Sequence, residues 1–220
     1  MIVDCDSHFL PRDAFEHVEG SLAAKRPLIT WDENGMFAGV EFPGAPSRVP
    51  GSSPVKAGLG SGSQMPGLWD MEHRLREYQQ MSIDAQVILP QCGGWWNYLV
   101  EADLGTALAH SYNLAMLRAM RGNPDKVHVV ANVAAQDPAS AVKELEWAAQ
   151  NRFCGVVLDH TFPVKEHPFG EPTPSRRELW PLFKRAAELD VSMHFHPIQW
   201  STCSGMASPT SSCPLSSTIT

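Results

Sequence analysis

Two short stretches carry the side chains best suited to chemistry. Near the N-terminus an apolar run ends in Asp4-Cys5-Asp6-Ser7-His8. Side chains alternate along a strand, so Asp6 and His8 share a face, about 7 Å apart along it. Far downstream, Val191-Ser192-Met193-His194-Phe195-His196-Pro197 puts two imidazoles on one face of a second strand, which proline then stops. A carboxylate oxygen and imidazole nitrogens at strand ends are ligands for a divalent metal. Alone, Asp-x-His is more often a hydrogen-bonded core pair, because buried polar groups seek partners. Joined to His-x-His-Pro at the end of a later strand of the same sheet, it reads as a metal site. By ligand type alone, Asp with two His also fits a non-heme iron triad for oxygen chemistry.

Strand ends can meet only if the intervening chain builds a common sheet. Met71, Leu75, Tyr78 and Met81 follow helical spacing from near Trp69, with Glu72, Arg74, Arg76 and Glu77 on the other sides. Residues 85–90 read as a strand stopped by Pro90, and 101–122 as a helix with Leu104, Leu108, Tyr112, Ala115 and Ala119 near one face. A β-branched strand follows at 127–133. Asp137 as N-cap and Pro138 in the first turn open a helix that reaches Gln150. Residues 155–158, 178–189 and 191–196 then read as strand, helix and strand. Alternation at about 30 residues per unit implies βαβ units and a parallel sheet, with five strands by His196.

In a (β/α)8 TIM-type barrel the reactive groups sit at the C-terminal ends of strands, where Asp6, His8 and His196 lie. The competing doubly wound sheet lacks support, since no Gly-rich phosphate turn follows the first strand. Residues 12–69 are rich in Pro and Gly, culminate in Gly58-Leu59-Gly60-Ser61-Gly62-Ser63 and show no sustained period. They form a long insertion, either a lid or an irregular surface segment.

The 220 residues suffice for a core of ordinary size, and 43% hydrophobic with 19% charged residues argue for a folded α/β chain. A formal net charge of -7 gives no electrostatic basis for nucleic acid or an anionic membrane as partner. No run is long enough to span a bilayer, and Asp4 and Asp6 interrupt the place of a signal peptide, so the expectation is a cytoplasmic protein acting on a small molecule. The five cysteines, Cys5, Cys92, Cys154, Cys203 and Cys213, are scattered without C-x-x-C spacing. Neither a disulfide framework nor a cysteine zinc knuckle is indicated, and the first three are expected to be small buried hydrophobes.

The chain resembles the amidohydrolase-related family that includes aminocarboxymuconate-semialdehyde decarboxylase and similar metal-dependent hydrolases and decarboxylases. The likeness covers residues 1 to about 200. It rests on Asp4-Cys5-Asp6-Ser7-His8, on Arg74-Leu75 through Met81-Ser82-Ile83-Asp84-Ala85-Gln86-Val87-Ile88-Leu89-Pro90, and on Asn113. It continues through Ala131-Asn132-Val133, Gln136-Asp137-Pro138, Ala141-Val142-Lys143-Glu144-Leu145 and Gly155-Val156-Val157-Leu158, and closes on His194-Phe195-His196-Pro197. The resemblance implies a distorted (β/α)8 barrel with one divalent metal, zinc or alternatively manganese, held by Asp6, His8 and His196. It makes His194 a packed, hydrogen-bonded support. Trp95-Trp96-Asn97-Tyr98 and Asp159-His160 fall at the barrel mouth, where Trp95, Trp96 and His160 are candidates for touching substrate. The activity implied is hydrolysis or decarboxylation of a small, aromatic or unsaturated carboxylate, with a homo-oligomer left open.

Beyond Trp200 the pattern breaks. Residues 201–220 are more than half Ser and Thr and carry no charge. Three further βα units would be needed to close a barrel, and the family's later strands carry a catalytic His and a metal-binding Asp with no counterpart here. The reading is therefore a partial barrel of about five βα units at 1–200, with a Ser/Thr-rich tail at 201–220. Its alternative in function is a truncated, inactive fragment.

Overall fold

The structure, a computed structural model, describes residues 1–41, 43, 65–90, 101–159 and 174–196, with the backbone alone at 39–41 and 196. Five strands, β1 (Val3–Phe9), β4 (Ala85–Pro90), β5 (Val127–Asn132), β6 (Gly155–Asp159) and β7 (Ser192–His196), form a sheet in that order. Every neighbouring pair in it is parallel. Helices α1 (Met71–Gln80), α2 (Ala102–Gly122), α3 (Pro138–Gln150) and α4 (Trp180–Glu188) alternate with the strands, giving the half-barrel expected from the sequence.

Local chemistry explains the boundaries. The Asp70 carboxylate accepts from the His73 amide at 2.9 Å and opens α1, and Asp137 accepts from Ala139 and Ser140 at the head of α3. Both use the N-cap geometry that satisfies donors left over in a first helical turn.

The same strands present two unequal faces. Ile88, Val129, Ala131, Val156 and Leu158 point into a large apolar core against Leu108, Met116, Leu145 and Leu182 of the helices. Among the described residues, the opposite, inner face holds a small cluster of Leu89, Val130 and Val157, with Val87 packed on it. That is the layering of a barrel wall, whose outer side buries helices.

Within the stretch read as irregular lies an antiparallel hairpin, β2 (Leu28–Trp31) with β3 (Phe37–Glu41). Its turn closes when the Asp32 side chain accepts from the Asn34 and Met36 amides, and Gly35 supplies a φ of 72°. Trp31, Phe37 and Trp69 pack ring on ring with centroids 5.6 to 6.3 Å apart, and the Arg12 guanidinium lies 4.0 Å over Trp31. Two strands of four and five residues, one of them interrupted by Gly39, are too short to register as a period.

Two cysteines depart from expectation. Cys5 and Cys154 are exposed. Cys5 lies in an irregular part of β1, and Cys154 precedes β6, where its thiol donates to the Val129 carbonyl. Cys92, Cys203, Cys213 and the whole of 201–220 lie outside the described residues. Among the described residues no helix is long and apolar enough to cross a membrane.

Candidate metal centre

The register of β1 decides where its side chains point. Asp4 pairs with Gln86 and Ser7 with Ile88, so three steps along β1 match two along β4. One extra residue is accommodated, which is a β-bulge. Asp4 and Ser7 consequently lie together on the helix side, while Asp6 and His8 point to the inner face.

There the Asp6 Oδ1 and His8 Nε2 atoms are 3.9 Å apart, with the Asp6 side chain 74% and the His8 side chain 28% exposed. His8 Nδ1 lies 3.0 Å from the Pro90 carbonyl oxygen at the end of β4. A carbonyl can only accept, so Nδ1 carries the proton of that bond, and Nε2 is the ring nitrogen on the Asp6 side. Metal-binding histidines are commonly oriented by such a bond from the other ring nitrogen. A carboxylate oxygen beside an imidazole nitrogen suits a divalent metal ion.

Behind the bulge is a buried polar cluster. Arg74 of α1 is 7% exposed. It donates through Nε to Gln86 Oε1, through Nη1 to the His8 carbonyl at 3.0 Å and the Gly67 carbonyl at 2.9 Å, and through Nη2 to Ser7 Oγ and to the Tyr78 hydroxyl. The Asp4 carboxylate accepts from both Tyr78 and Ser7. Burial pushes the Asp4 carboxyl up, but bonds from Tyr78, Ser7 and the Asp6 amide, with the Arg74 charge, outweigh it and hold it below its ordinary value. Burial and the bond to Asp4 together raise the Tyr78 phenol. Sequence spacing put Arg74 on the solvent sides of α1. The structure corrects this, because Arg74 stands one turn before Tyr78, on the buried stripe. That i, i+4 relation was the available signal.

His196 falls at the end of β7, its backbone in register with Asp159 of β6. Three strands separate β7 from β1, so Asp6 and His8 belong to one edge of the half-barrel and His196 to the other. In an eight-stranded barrel the first and fifth strands face each other across an interior that side chains fill. The His196 side chain lies outside the description, and among the described residues no three of His, Cys, Asp and Glu gather as a metal cluster. His194 is in register with Val157, its Nε2 3.1 Å from Ser192 Oγ. Ser192 in turn donates to the Cys154 carbonyl at 2.8 Å, and burial lowers the His194 pKa. Its ring occupies the space over Gly155, where an added Cβ would lie 2.8 Å from Nε2. Trp95, Trp96 and His160 lie outside the described residues.

Comparisons with known proteins place this geometry in context. A family model described as amidohydrolase matches residues 3–211. No curated protein sequence matches the chain. Among solved structures, it is similar to an amidohydrolase from Mycobacterium avium subsp. paratuberculosis, with TM-score 0.67 and 17% identity over 94% of this chain and 63% of that one. It is similar to 5-carboxyvanillate decarboxylase from Novosphingobium aromaticivorans, solved with manganese and a nitrobenzoic acid, with TM-score 0.65 and 16% identity over 95% of this chain and 53% of that one. The 2,6-dihydroxybenzoate decarboxylase from Rhizobium gives TM-score 0.60 and 14% identity over 89% of this chain. The chain spans 49% of that enzyme's length.

Proposed function

The chain belongs to the amidohydrolase family, and from that premise we propose that it acts as a divalent-metal-dependent decarboxylase of a small hydroxylated aromatic carboxylate. The observation carrying this reading is the Asp6–His8 pair, 3.9 Å apart at the end of β1 with His8 oriented by Pro90. Asp6, His8 and His196 are proposed as ligands, with His194 as support and Trp95, Trp96 and His160 as candidates for the substrate's ring. A bound divalent ion would supply a Lewis acid able to hold a carboxylate or phenolic oxygen.

Two of the chain's own residues on β1 would hold that ion, and the proton for the ring carbon would come from solvent water. Asp6 brings an anionic oxygen that offsets part of the ion's charge. His8 brings a neutral nitrogen whose tautomer is set from Pro90. The bond from ring carbon to carboxylate breaks, its electron pair stays on the ring carbon, a proton takes the vacated position and carbon dioxide leaves. Manganese is the first ion to test, since solved relatives in the fold are described with it, with zinc alongside. The small-molecule substrate fits a cytoplasmic enzyme.

The test uses the 220-residue chain freed of metal. Calorimetric titration with Mn²⁺ and Zn²⁺ should give one site per chain, weakened at least about tenfold by Asp6→Ala or His8→Ala. Loss of ultraviolet absorbance from a panel of 2-hydroxybenzoates should then require the metal. Absence of binding by the unaltered chain overturns the metal centre. Stoichiometric binding without turnover of any hydroxybenzoate favours the second reading, a metal-binding chain without this activity.

A further inference from the structure

We propose that Arg74 and Tyr78 of α1 are positioning residues for the Asp6–His8 pair, locking the β1 bulge in the arrangement that sends both side chains to the inner face. The inference deepens the reading of Asp6 and His8 as metal ligands and rests on it for its consequence, not for its geometry.

A bulge is one residue from a register slip. Side chains alternate with period two, so losing the extra residue turns one flank of the strand over. If the flank before the bulge held its register, His8 would swing to the helix side. If the flank after it held, Asp4 would swing inward among the ligands. Both flanks must be held at once, and this cluster does so. Asp4, before the bulge, is gripped by the Tyr78 hydroxyl and by Ser7. Ser7 and the His8 carbonyl, after it, are gripped by the Arg74 guanidinium. Arg74 and Tyr78 are themselves bonded at 2.9 Å, so one rigid unit on α1 fixes both sides.

The donor count supports a dedicated role. Five N–H groups of Arg74 meet five acceptors, Gln86 Oε1, the His8 and Gly67 carbonyls, Ser7 Oγ and Tyr78 Oη. That satisfies a guanidinium in full, and an ammonium with three donors cannot match it. Serving Arg74 also fixes the Gln86 amide with its oxygen toward the guanidinium. Gln86 is 0% exposed, and its Nε2 has no hydrogen-bond partner among the described residues. A buried donor is left unpaired to keep this arrangement, a penalty that an apolar cluster at the same place would not carry.

The test compares Tyr78→Phe and Arg74→Lys with Asn113→Ala, a buried substitution on α2 away from the bulge, all in the full chain. Mn²⁺ affinity is read by calorimetry. The His8 ring nitrogens are read by ¹⁵N NMR without metal, and stability by urea melts. Tyr78→Phe, which removes one oxygen, is expected to weaken Mn²⁺ binding about tenfold and shift the His8 ring signals, while Asn113→Ala lowers stability and leaves both readouts as in the unaltered chain. Arg74→Lys should do the same as Tyr78→Phe more strongly; if it fails to fold, Tyr78→Phe decides alone. Unchanged Mn²⁺ affinity in a folded Tyr78→Phe chain overturns the inference, as does an equal loss in Asn113→Ala. If the unaltered chain binds no Mn²⁺, the ligand reading fails separately. The positioning role is then judged by the His8 ring signals, and their constancy in Tyr78→Phe overturns it.

Discussion

Replacing Asn113 by alanine should cost about 3 kcal/mol. Asn113 is 0% exposed on α2, and its amide works as a peptide group would. Nδ2 donates to the Asn132 carbonyl and to Glu144 Oε1, each at 2.8 Å, and Oδ1 accepts from the Asn132 amide at 2.9 Å. Two of the bonds are neutral, worth about 1 kcal/mol each, and the one to a carboxylate is worth about 1.5 or more. Alanine's better helix propensity returns about 0.5 kcal/mol. For a chain of this size that balance corresponds to a fall in Tm of roughly 6–12 °C. Urea melts followed by circular dichroism give the free energy, and a thermal scan gives Tm. Asn113→Asp sharpens the test: it keeps the shape but sets an oxygen against both the Asn132 carbonyl and Glu144, so it should cost more than alanine. A loss under about 1 kcal/mol for Asn113→Ala, or a milder effect of aspartate than of alanine, would refute the account of this seam.

Gly155→Ala puts a methyl group against Ser192 Oγ and within 2.8 Å of His194 Nε2; overpacking of about 1–3 kcal/mol is expected, with a displaced His194 ring signal in NMR, and an unperturbed signal would contradict it. His110 bonds Glu144 through Nδ1 at 2.9 Å, which raises its pKa above 6.5 although burial opposes this. A raised folded pKa stabilises fully below the unfolded value and fades as pH rises through the folded one. The stability advantage of the unaltered chain over His110→Gln, followed by Tm, should therefore be full below about pH 6.5 and shrink as pH rises above it. It stays under about 1 kcal/mol because the His110 side chain is 40% exposed, and an advantage that grows across that range would refute the sign. Asp70→Ala removes the carboxylate that caps α1, and urea melts should register about 1 kcal/mol of lost stability.

What could be read from the sequence follows the range of the interactions involved. Asp137-Pro138 opened a helix exactly at Pro138, and Pro90 closed a strand, because caps and proline act within a few residues. The parallel order of five strands was legible because each helix between them carries an apolar stripe. The bulge was not, since it exists only as a mismatch between β1 and β4. Arg74 was misplaced for a related reason: charge argues for solvent unless acceptors gather around it, and those of Arg74 come from residues 7, 8, 67, 78 and 86. The exposure of Cys5 and Cys154 depends in the same way on tertiary placement. Of the candidate ligands, Asp6 and His8 were legible as a pair because two residues on one strand need no tertiary knowledge.

The unequal faces of the sheet bear on how such a protein can change over generations. Among the described residues, cohesion is concentrated on the side where strands meet helices, and the inner side contributes a four-residue apolar patch. Substitutions at exposed inner-facing positions such as Asp6 of β1 therefore draw little on the folding reserve, unlike those at packed ones such as Gly155 of β6. A lineage can try new side chains around Asp6 and His8, and so new substrates, without first acquiring compensating changes in its core.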